Sequence, residues 1–470
     1  MGEKSPVEKD VKTAAGREVA APCHMGRPLS KAKPMRGEAA RPVQFSASAP
    51  LRGEARIPGD KSISHRALML AAMARGRSRI AGLSQGGDVG STAAALRAMG
   101  VRIEPAGEAW TVDGVGTGGL LQPRMALDIG NSGTSARLLM GLVASHPITA
   151  AFFGDASLSA RPMGRVIPPL SRLGADFAAS PSGRLPLLLR GACPAVPLEH
   201  RMEVASAQVK TAILLAALNT PGVTTVIEPV PTRDHSERML KAFGAEIVVE
   251  GERIGLRGEA ELRPRDVAVP GDPSAAAFPL VAALLVPGSE VRIANVGVNP
   301  GRAGLFQVLR EMGADLALSN SRETGGEPVA DLSACASRLR GVDVPPELAP
   351  SMIDEFPILF VAAAFAEGTT RTSGLGELRV KESDRLAAMA QGLRAIGARV
   401  EAQADGLTIH GSGGEPLAGG ATIDPRLDHR VAMAFAVAGL HCRRPVIVAD
   451  MAAADTSFPG FAAMLAGLAA

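Results

Sequence analysis

The sequence predicts an α/β protein built from six repeated strand–helix units in two similar halves, and three observations carry that reading. An Ala/Leu-rich helical stretch with a polar or Gly-containing start recurs six times, roughly 65 to 85 residues apart, too long a period for a solenoid. Behind each copy comes a second, amphipathic stretch, and five of these end in Gly and run into an alternating or β-branched segment. Finally, Ile57-Pro58-Gly59-Asp60 returns as Val269-Pro270-Gly271-Asp272, with three units counted from each.

Along the chain, residues 1–42 carry nine Lys/Arg and five Asp/Glu with few large apolar side chains, so they read as a disordered extension, with the structured chain starting near Val43. GDKSISHRALMLAAMARG from Gly59 opens the first unit, and STAAALRAMGVRI follows it. GNSGTSARLLMGLVASH from Gly130 precedes IPPLSRLGADF, and SAQVKTAILLAALNTPG from Ser206 precedes ERMLKAFGAEI. In the second half, GDPSAAAFPLVAALLVPG from Gly271 pairs with LFQVLREMGADL, and DEFPILFVAAAFAEG from Asp354 with LAAMAQGLRAIGARV. DHRVAMAFAVAGLH from Asp428 and FAAMLAGLAA close the chain. The first helix of each pair is apolar nearly all round and is expected to be buried, with the second covering it. Gly after the second helix supplies a left-handed cap. The two Pro-Gly elements suit stretches that cross between domains, since Pro stiffens and Gly turns.

Composition narrows the function. The 470 residues are 46% hydrophobic and 21% charged, enough chain for two or three domains, with no uninterrupted apolar run long enough to span a membrane. Lys+Arg 50 against Asp+Glu 47 leaves +3, too even for an electrostatic nucleic-acid binder, and thirteen Phe, one Trp and no Tyr leave few rings for base stacking. Cys23, Cys193, Cys335 and Cys442 lie far apart, with no disulfide framework or metal knuckle among them, which fits a reducing cytoplasm. No phosphate-binding loop, dinucleotide fingerprint or nucleophile elbow occurs.

Ionisable residues and Gly cluster where the buried helices are expected to begin: Lys61, Ser62 and Arg66; Asn131, Gly133, Thr134 and Arg137; Ser206 and Gln208; Asp354 and Glu355; Asp428, His429 and Arg430. Helix starts offer unpaired N–H groups and partial positive charge, so if they converge they form an anion trap. Each cluster also suits an ordinary helix cap. Arg161, before Pro162, belongs to an extended loop, and Arg233 precedes Asp234, a good N-cap; local sequence leaves both divided between a site and a solvated surface. In Glu377-Leu378-Arg379-Val380-Lys381-Glu382-Ser383-Asp384-Arg385, Lys381 and Arg385 would share a face on a helix. Glu382 between these cations suits proton transfer beside a bound phosphate. His65, His235 and His429 sit near helix starts without metal-ligand spacing.

Taken in order, IPGDKSISHRA, GNSGTSARLL, SARPM, SAQVKTA, TRDHSERML, IDEFP, RVKESDRL and DHRVAMAF resemble the enolpyruvyl transferase family, in its branch that acts on shikimate 3-phosphate, from about Leu51 to the C-terminus. The resemblance implies two pseudo-symmetric inside-out α/β domains, residues 43–58 with 271–470 and residues 59–270, closing on a central cleft. It implies transfer of the enolpyruvyl group of phosphoenolpyruvate to the 5-hydroxyl of shikimate 3-phosphate, with loss of phosphate through a tetrahedral intermediate, in aromatic amino-acid biosynthesis. No cofactor or metal is expected, and a cytoplasmic monomer is, with no membrane or nucleic-acid partner. By similarity, Lys61, Arg161, Arg385 and Arg430 hold phosphoenolpyruvate, with Gly133 donating backbone and Gln208 touching both substrates. Ser62, Arg66, Ser206, Gln208, Asp354, Lys381 and Arg233 hold shikimate 3-phosphate. Asp354 is the expected acceptor of the hydroxyl proton, Glu382 the donor to the methylene carbon, and Lys61 a proton carrier or charge stabiliser. Glyphosate is expected in the phosphoenolpyruvate site, where a methyl at position 133 would crowd it.

Two departures from the family's wording stand out. Thr456 occupies the place of a lysine that commonly meets phosphoenolpyruvate, and Ser206-Ala207-Gln208 replaces Ser-Ser-Gln, with Lys210 adding a charge of unassigned partner. The branch acting on UDP-N-acetylglucosamine is the nearest alternative, but its reactive Cys is Ala156 here. A silent phosphometabolite-binding protein on the same scaffold is the other.

Overall fold

Polar caps set where the helices start. In the computed structural model, which describes residues 40–469, Lys61–Met73 follows Asp60, whose carboxylate accepts from the Ile63 amide at 2.8 Å. Ser132, Ser206, Asp272 and Asp428 cap Gly133–Ala144, Ala207–Ala217, Pro273–Leu285 and His429–Gly439 in the same way, satisfying amides a helix start leaves free. Only Phe356–Phe365 lacks a side-chain cap. These six helices are apolar on nearly every face and buried along almost their whole length. Among the described residues, no single helix is long and apolar enough to cross a membrane.

The covering helices are Gly87–Ala98, Ile167–Arg172, His235–Ala242, Gly304–Glu311, Arg385–Ala395 and Phe461–Leu468. Gly100, Gly174, Gly244, Gly313 and Gly397, just beyond the first five, all have φ between +88° and +108°, the conformation only Gly adopts without strain. Two local expectations are corrected here. Asp234 stands at the N-cap of His235–Ala242, but its carboxylate makes no cap hydrogen bond and is taken by Arg238 and Asn299. Lys381 and Arg385 do not share a helix face: the 3-10 turn Gly376–Val380 ends in an extended Lys381, and the helix begins only at Arg385, after its cap Asp384. Asp384 captures the Ala387 amide at 3.0 Å, and that capture breaks the helical register between the two cations.

One sheet order recurs. Leu127–Asp128 pairs in parallel with Thr149–Phe153, across the helix Gly133–Ala144, and Leu187–Arg190 and Asp176–Ala178 add antiparallel. Glu199–Arg201, Val223–Ile227, Arg253–Arg257 and Ile247–Glu250 repeat that order. In the two sheets that begin at the Pro-Gly elements, the leading strands are exchanged. Arg52–Glu54 runs parallel to Glu290–Gly297, and Val267–Ala268 runs parallel to Arg75–Ala81. Where the two stretches cross, Asp60 N donates to Pro270 O at 2.7 Å and Asp272 N to Pro58 O at 3.0 Å. Two hydrophobic cores lie on either side, one drawn from Ile63 to Val269, the other from Phe45 to Ala55 and Ala275 to Leu468.

The expected disordered extension over 1–42 lies outside the described residues as far as residue 39. Within the described part, Arg41 already donates to Asp455 at 2.7 Å, and Val43–Phe45 pairs antiparallel with Val446–Val448.

Gly141 shows how closely the buried helices pack: a Cβ there would lie 2.3 Å from Ala212 O and 2.7 Å from Ala212 Cα, in the backbone of the neighbouring helix. Gly90, exposed on Gly87–Ala98, has nothing within 4 Å of that position. Thermal unfolding should therefore separate two formally identical substitutions. Gly141→Ala is expected to destabilise by about 1–3 kcal/mol through overpacking, and Gly90→Ala to stabilise by about 0.5–1 kcal/mol through helix propensity. Equal shifts in Tm would contradict the close helix contact.

Candidate active site

All six buried helices begin on one cleft of about 380 Å³. Lys61 and Ser62, Gly133 and Thr134, Ala207 and Gln208, Asp272, Asp354, and His429 and Arg430 bring those starts to its wall. Nine basic side chains face five carboxylates around it, an excess of four positive charges added to six helix dipoles. Of the residues singled out from sequence, Lys61, Ser62, Arg66, Gly133, Arg161, Ser206, Gln208, Arg233, Asp354, Lys381, Glu382 and Arg430 all line the cleft. Arg385 does not. It lies fully buried behind the wall, with Asp428 at 2.8 Å, Glu382 at 2.6 Å and Asp354 at 3.3 Å.

Two carboxylates stand at the centre. Asp354 Oδ2 accepts from Arg233 at 2.8 Å, Oδ1 faces Arg385 at 3.3 Å and Lys381 at 3.5 Å, and its backbone carbonyl accepts from Arg430 at 3.1 Å. Glu382 Oε2 accepts from Arg385 at 2.6 Å and Oε1 from Arg161 at 3.3 Å. Burial alone would push both carboxyls up. The surrounding cations outweigh it: Lys381, Arg430, Arg233 and Arg385 hold Asp354, and Arg385, Arg161, His429 and Lys61 hold Glu382, well below the usual carboxylate range. Both are therefore held ionised by the chain's own cations. Burial, with Lys61 and Arg430 beside it, also keeps His429 neutral.

Around Gly133 the wall is built from side-chain amides and guanidinium groups. Arg161, extended before Pro162 as its sequence requires, donates to Asn131 and, at 3.2 Å, to Ser157 Oγ; its Nε has no partner. Arg137 donates to Gln208 Oε1 at 2.7 Å, and Gln208 Nε2 donates to Thr134 Oγ1 at 2.9 Å, which fixes the amide's orientation. Arg137 is hydrogen-bonded to no carboxylate, and burial together with Arg161 and Arg165 lowers its pKa to about 10. Lys61 meets Asp88 at 2.5 Å. Arg66 is held by Ser236 and Thr211, each at 2.8 Å, and burial lowers its pKa to about 10.

Several site residues escaped sequence reasoning. Arg165 makes a two-pronged pair with Glu377, both bonds 2.7 Å, joining the two cores across the cleft. Its signal was present, four residues beyond Arg161 in the same segment. Arg302 had none: it reaches the crossing from a 3-10 turn, Pro300–Arg302, between Asp272 at 3.1 Å and Asp60 at 3.5 Å, whose charges outweigh burial and raise its pKa. Thr456 is not in the wall. Its hydroxyl donates to Ala453 O within its own turn, and its carbonyl lies against Gly86, where a Cβ would come within 2.4 Å.

The family model described as EPSP synthase (3-phosphoshikimate 1-carboxyvinyltransferase) matches residues 45–465. A 3-phosphoshikimate 1-carboxyvinyltransferase of Sphingopyxis alaskensis is 65% identical over 444 residues, covering 92% of this chain and 100% of the relative. One from Novosphingobium aromaticivorans is 63% identical, covering 90% and 98%. Among solved structures, EPSP synthase from Acinetobacter baumannii superposes with a TM-score of 0.81 at 42% identity, covering 91% of this chain and 98% of that one. With the family model spanning nearly all the described residues, and two long relatives above 60% identity, this chain belongs to the EPSP synthase (3-phosphoshikimate 1-carboxyvinyltransferase) family.

Proposed function

We propose that the chain transfers the enolpyruvyl group of phosphoenolpyruvate to the 5-hydroxyl of shikimate 3-phosphate, releasing phosphate. The observation that carries this is the convergence of six helix starts and an excess of four cations on two part-buried, ionised carboxylates. Two phosphates and two carboxylates bring roughly five or six negative charges to one place. An excess of four with six dipoles answers that load.

In this reading Ser62, Arg66, Ser206, Gln208, Arg233 and Lys381 bind shikimate 3-phosphate, and Lys61, Gly133, Arg161 and Arg430 bind phosphoenolpyruvate. Arg385, placed behind the wall, acts chiefly by setting Asp354 and Glu382. Asp354, ionised and recessed, takes the proton of the 5-hydroxyl as its oxygen attacks C2 of phosphoenolpyruvate. Glu382 gives a proton to the methylene carbon, making a methyl, and recovers it as the C–O bond to phosphate breaks and the enol ether forms. Lys61 steadies charge on the departing phosphate. Residues 59–270 and residues 43–58 with 271–470 act as two pseudo-symmetric domains of three units each, whose closure excludes water and strengthens these interactions. The chain works as a cytoplasmic monomer without membrane or nucleic-acid partner.

Phosphate release from phosphoenolpyruvate, followed with shikimate 3-phosphate and separately with UDP-N-acetylglucosamine, tests the reaction. Release with the first acceptor alone is expected; release with neither would leave a binding protein.

The ionised state of Glu382 makes a second expectation. To serve as an acid it must gain a proton when phosphoenolpyruvate offsets Arg161 and Lys61. Calorimetric titration in buffers of different ionisation enthalpy, at about pH 8 where the ligand phosphate is fully ionised, should show uptake approaching one proton. Glu382→Gln should bind both substrates, lose that uptake and lose about 10²–10⁴-fold in kcat. Wild-type binding with no proton uptake would move the acid elsewhere.

Gly133 gives a third. An added Cβ would lie 3.0 Å from Arg137 Nη1 and 3.2 Å from Arg161 Nη1, so Gly133→Ala must displace the groups that face the anion. Weaker glyphosate inhibition and a raised KM for phosphoenolpyruvate are expected, and inhibition curves identical to wild type would remove the steric basis.

A further inference from the structure

Lys210 is fully buried, two residues beyond Gln208 on the helix Ala207–Ala217, and it does not reach the cleft. Its ammonium meets Glu228 Oε2 at 2.9 Å and Glu237 Oε1 at 2.7 Å. Glu228 follows the strand Val223–Ile227, and its second oxygen accepts from the Thr232 hydroxyl, directly before Arg233. Glu237 lies in His235–Ala242 beside Ser236, whose hydroxyl accepts from Arg66 at 2.8 Å. One ammonium thus ties the helix that starts with Ser206 and Gln208 to the segment 228–237 that supplies Arg233 and the support of Arg66.

Stability gives little reason for this arrangement. Buried ion pairs seldom outperform apolar side chains of the same volume, because desolvation offsets the attraction. Here two carboxylates share one cation, Glu237 Oε2 has no partner, and burial pushes the Glu237 carboxyl up despite Lys210. What the cluster supplies is geometry: three elements fixed at one point, immediately behind the cleft wall. We infer that Lys210 is a positioning residue for the shikimate 3-phosphate side of the cleft, acting through Glu228 and Thr232 on Arg233 and through Glu237 on the Ser236–Arg66 contact. The inference rests on the assignment of Arg66, Ser206 and Arg233 to that substrate.

The test is steady-state kinetics with each substrate varied at saturation of the other, together with Tm. Lys210→Met is expected to raise KM for shikimate 3-phosphate about tenfold, with kcat and KM for phosphoenolpyruvate within about threefold of wild type. A purely structural brace would lower Tm and leave both KM values unchanged, and that result would overturn the inference. Because Lys210→Met leaves two buried carboxylates unpaired, Thr232→Val is the companion: it keeps the Lys–Glu–Glu cluster and removes the hydroxyl that links it to the loop, while the isosteric side chain keeps the shape Thr232 gives the cleft wall. It should raise the same KM several-fold with a smaller loss of Tm than Lys210→Met, since only one hydrogen bond to Glu228 is lost, and an unchanged KM would overturn the inference even if Lys210→Met fails to fold. Arg233→Ala separates the two levels. If it leaves KM for shikimate 3-phosphate unaltered, the substrate assignment fails and this inference with it; if it raises that KM while Thr232→Val does not, only the inference fails.

Discussion

Repulsion among like charges in one cleft is the constraint to which the rest of the molecule answers. Six helix starts and nine basic side chains face the same small volume, so bringing them together works against their mutual repulsion. The fold's response is a set of buried and part-buried carboxylates placed between the cations. Asp428 and Glu382 meet Arg385, Asp354 meets Arg233, Asp88 meets Lys61, and Asp60 with Asp272 meets Arg302. The cations these carboxylates balance, Lys61 and Arg233 among them, are the same ones to which the proposed function assigns the substrates. Stability of the free protein and affinity for substrate are therefore drawn from one set of contacts.

Three of these anions have a second duty. Asp60, Asp272 and Asp428 are helix caps as well as counter-charges, so helix geometry and cleft electrostatics cannot be altered independently. A buried pair broken from one side typically costs about 3–5 kcal/mol, because the remaining charge stays desolvated. The exposed pairs, such as Arg102 with Glu104, sit in water and contribute little to this balance. The molecule's sensitive electrostatics are concentrated where the two cores meet.

Much of this was legible in the sequence, for local reasons. Ser132, Ser206 and Asp428 mark helix starts because a short polar side chain reaches its own backbone, and Gly100 or Gly244 marks an end because its φ is positive. The pattern itself leaves open whether the starts converge, and only the family resemblance implies a central cleft. What local pattern could not supply was partnership across the chain. Arg302 between Asp60 and Asp272, Arg137 on Gln208 and Lys210 between Glu228 and Glu237 depend on tertiary approach alone. The spacing of Lys381 and Arg385 misled because i and i+4 share a face only within a continuous helix, and the Asp384 cap interrupts it. Asp234 misled for the converse reason: Asn299 and Arg238 outbid the backbone amides for its carboxylate.

The exchanged strands set an order of events for a chain made from its N-terminus. Among the described residues, Val43–Phe45 pairs only with Val446–Val448, and Arg52–Glu54 only with Glu290–Gly297. The stretch from Lys61 to Ala268 contains every partner its own sheets require, so it can settle soon after it leaves the ribosome. The segment that emerged before it has to wait, its first strand unpaired until synthesis is nearly complete. The strand Val43–Phe45 is among the last to be seated, and it stitches the finished molecule shut.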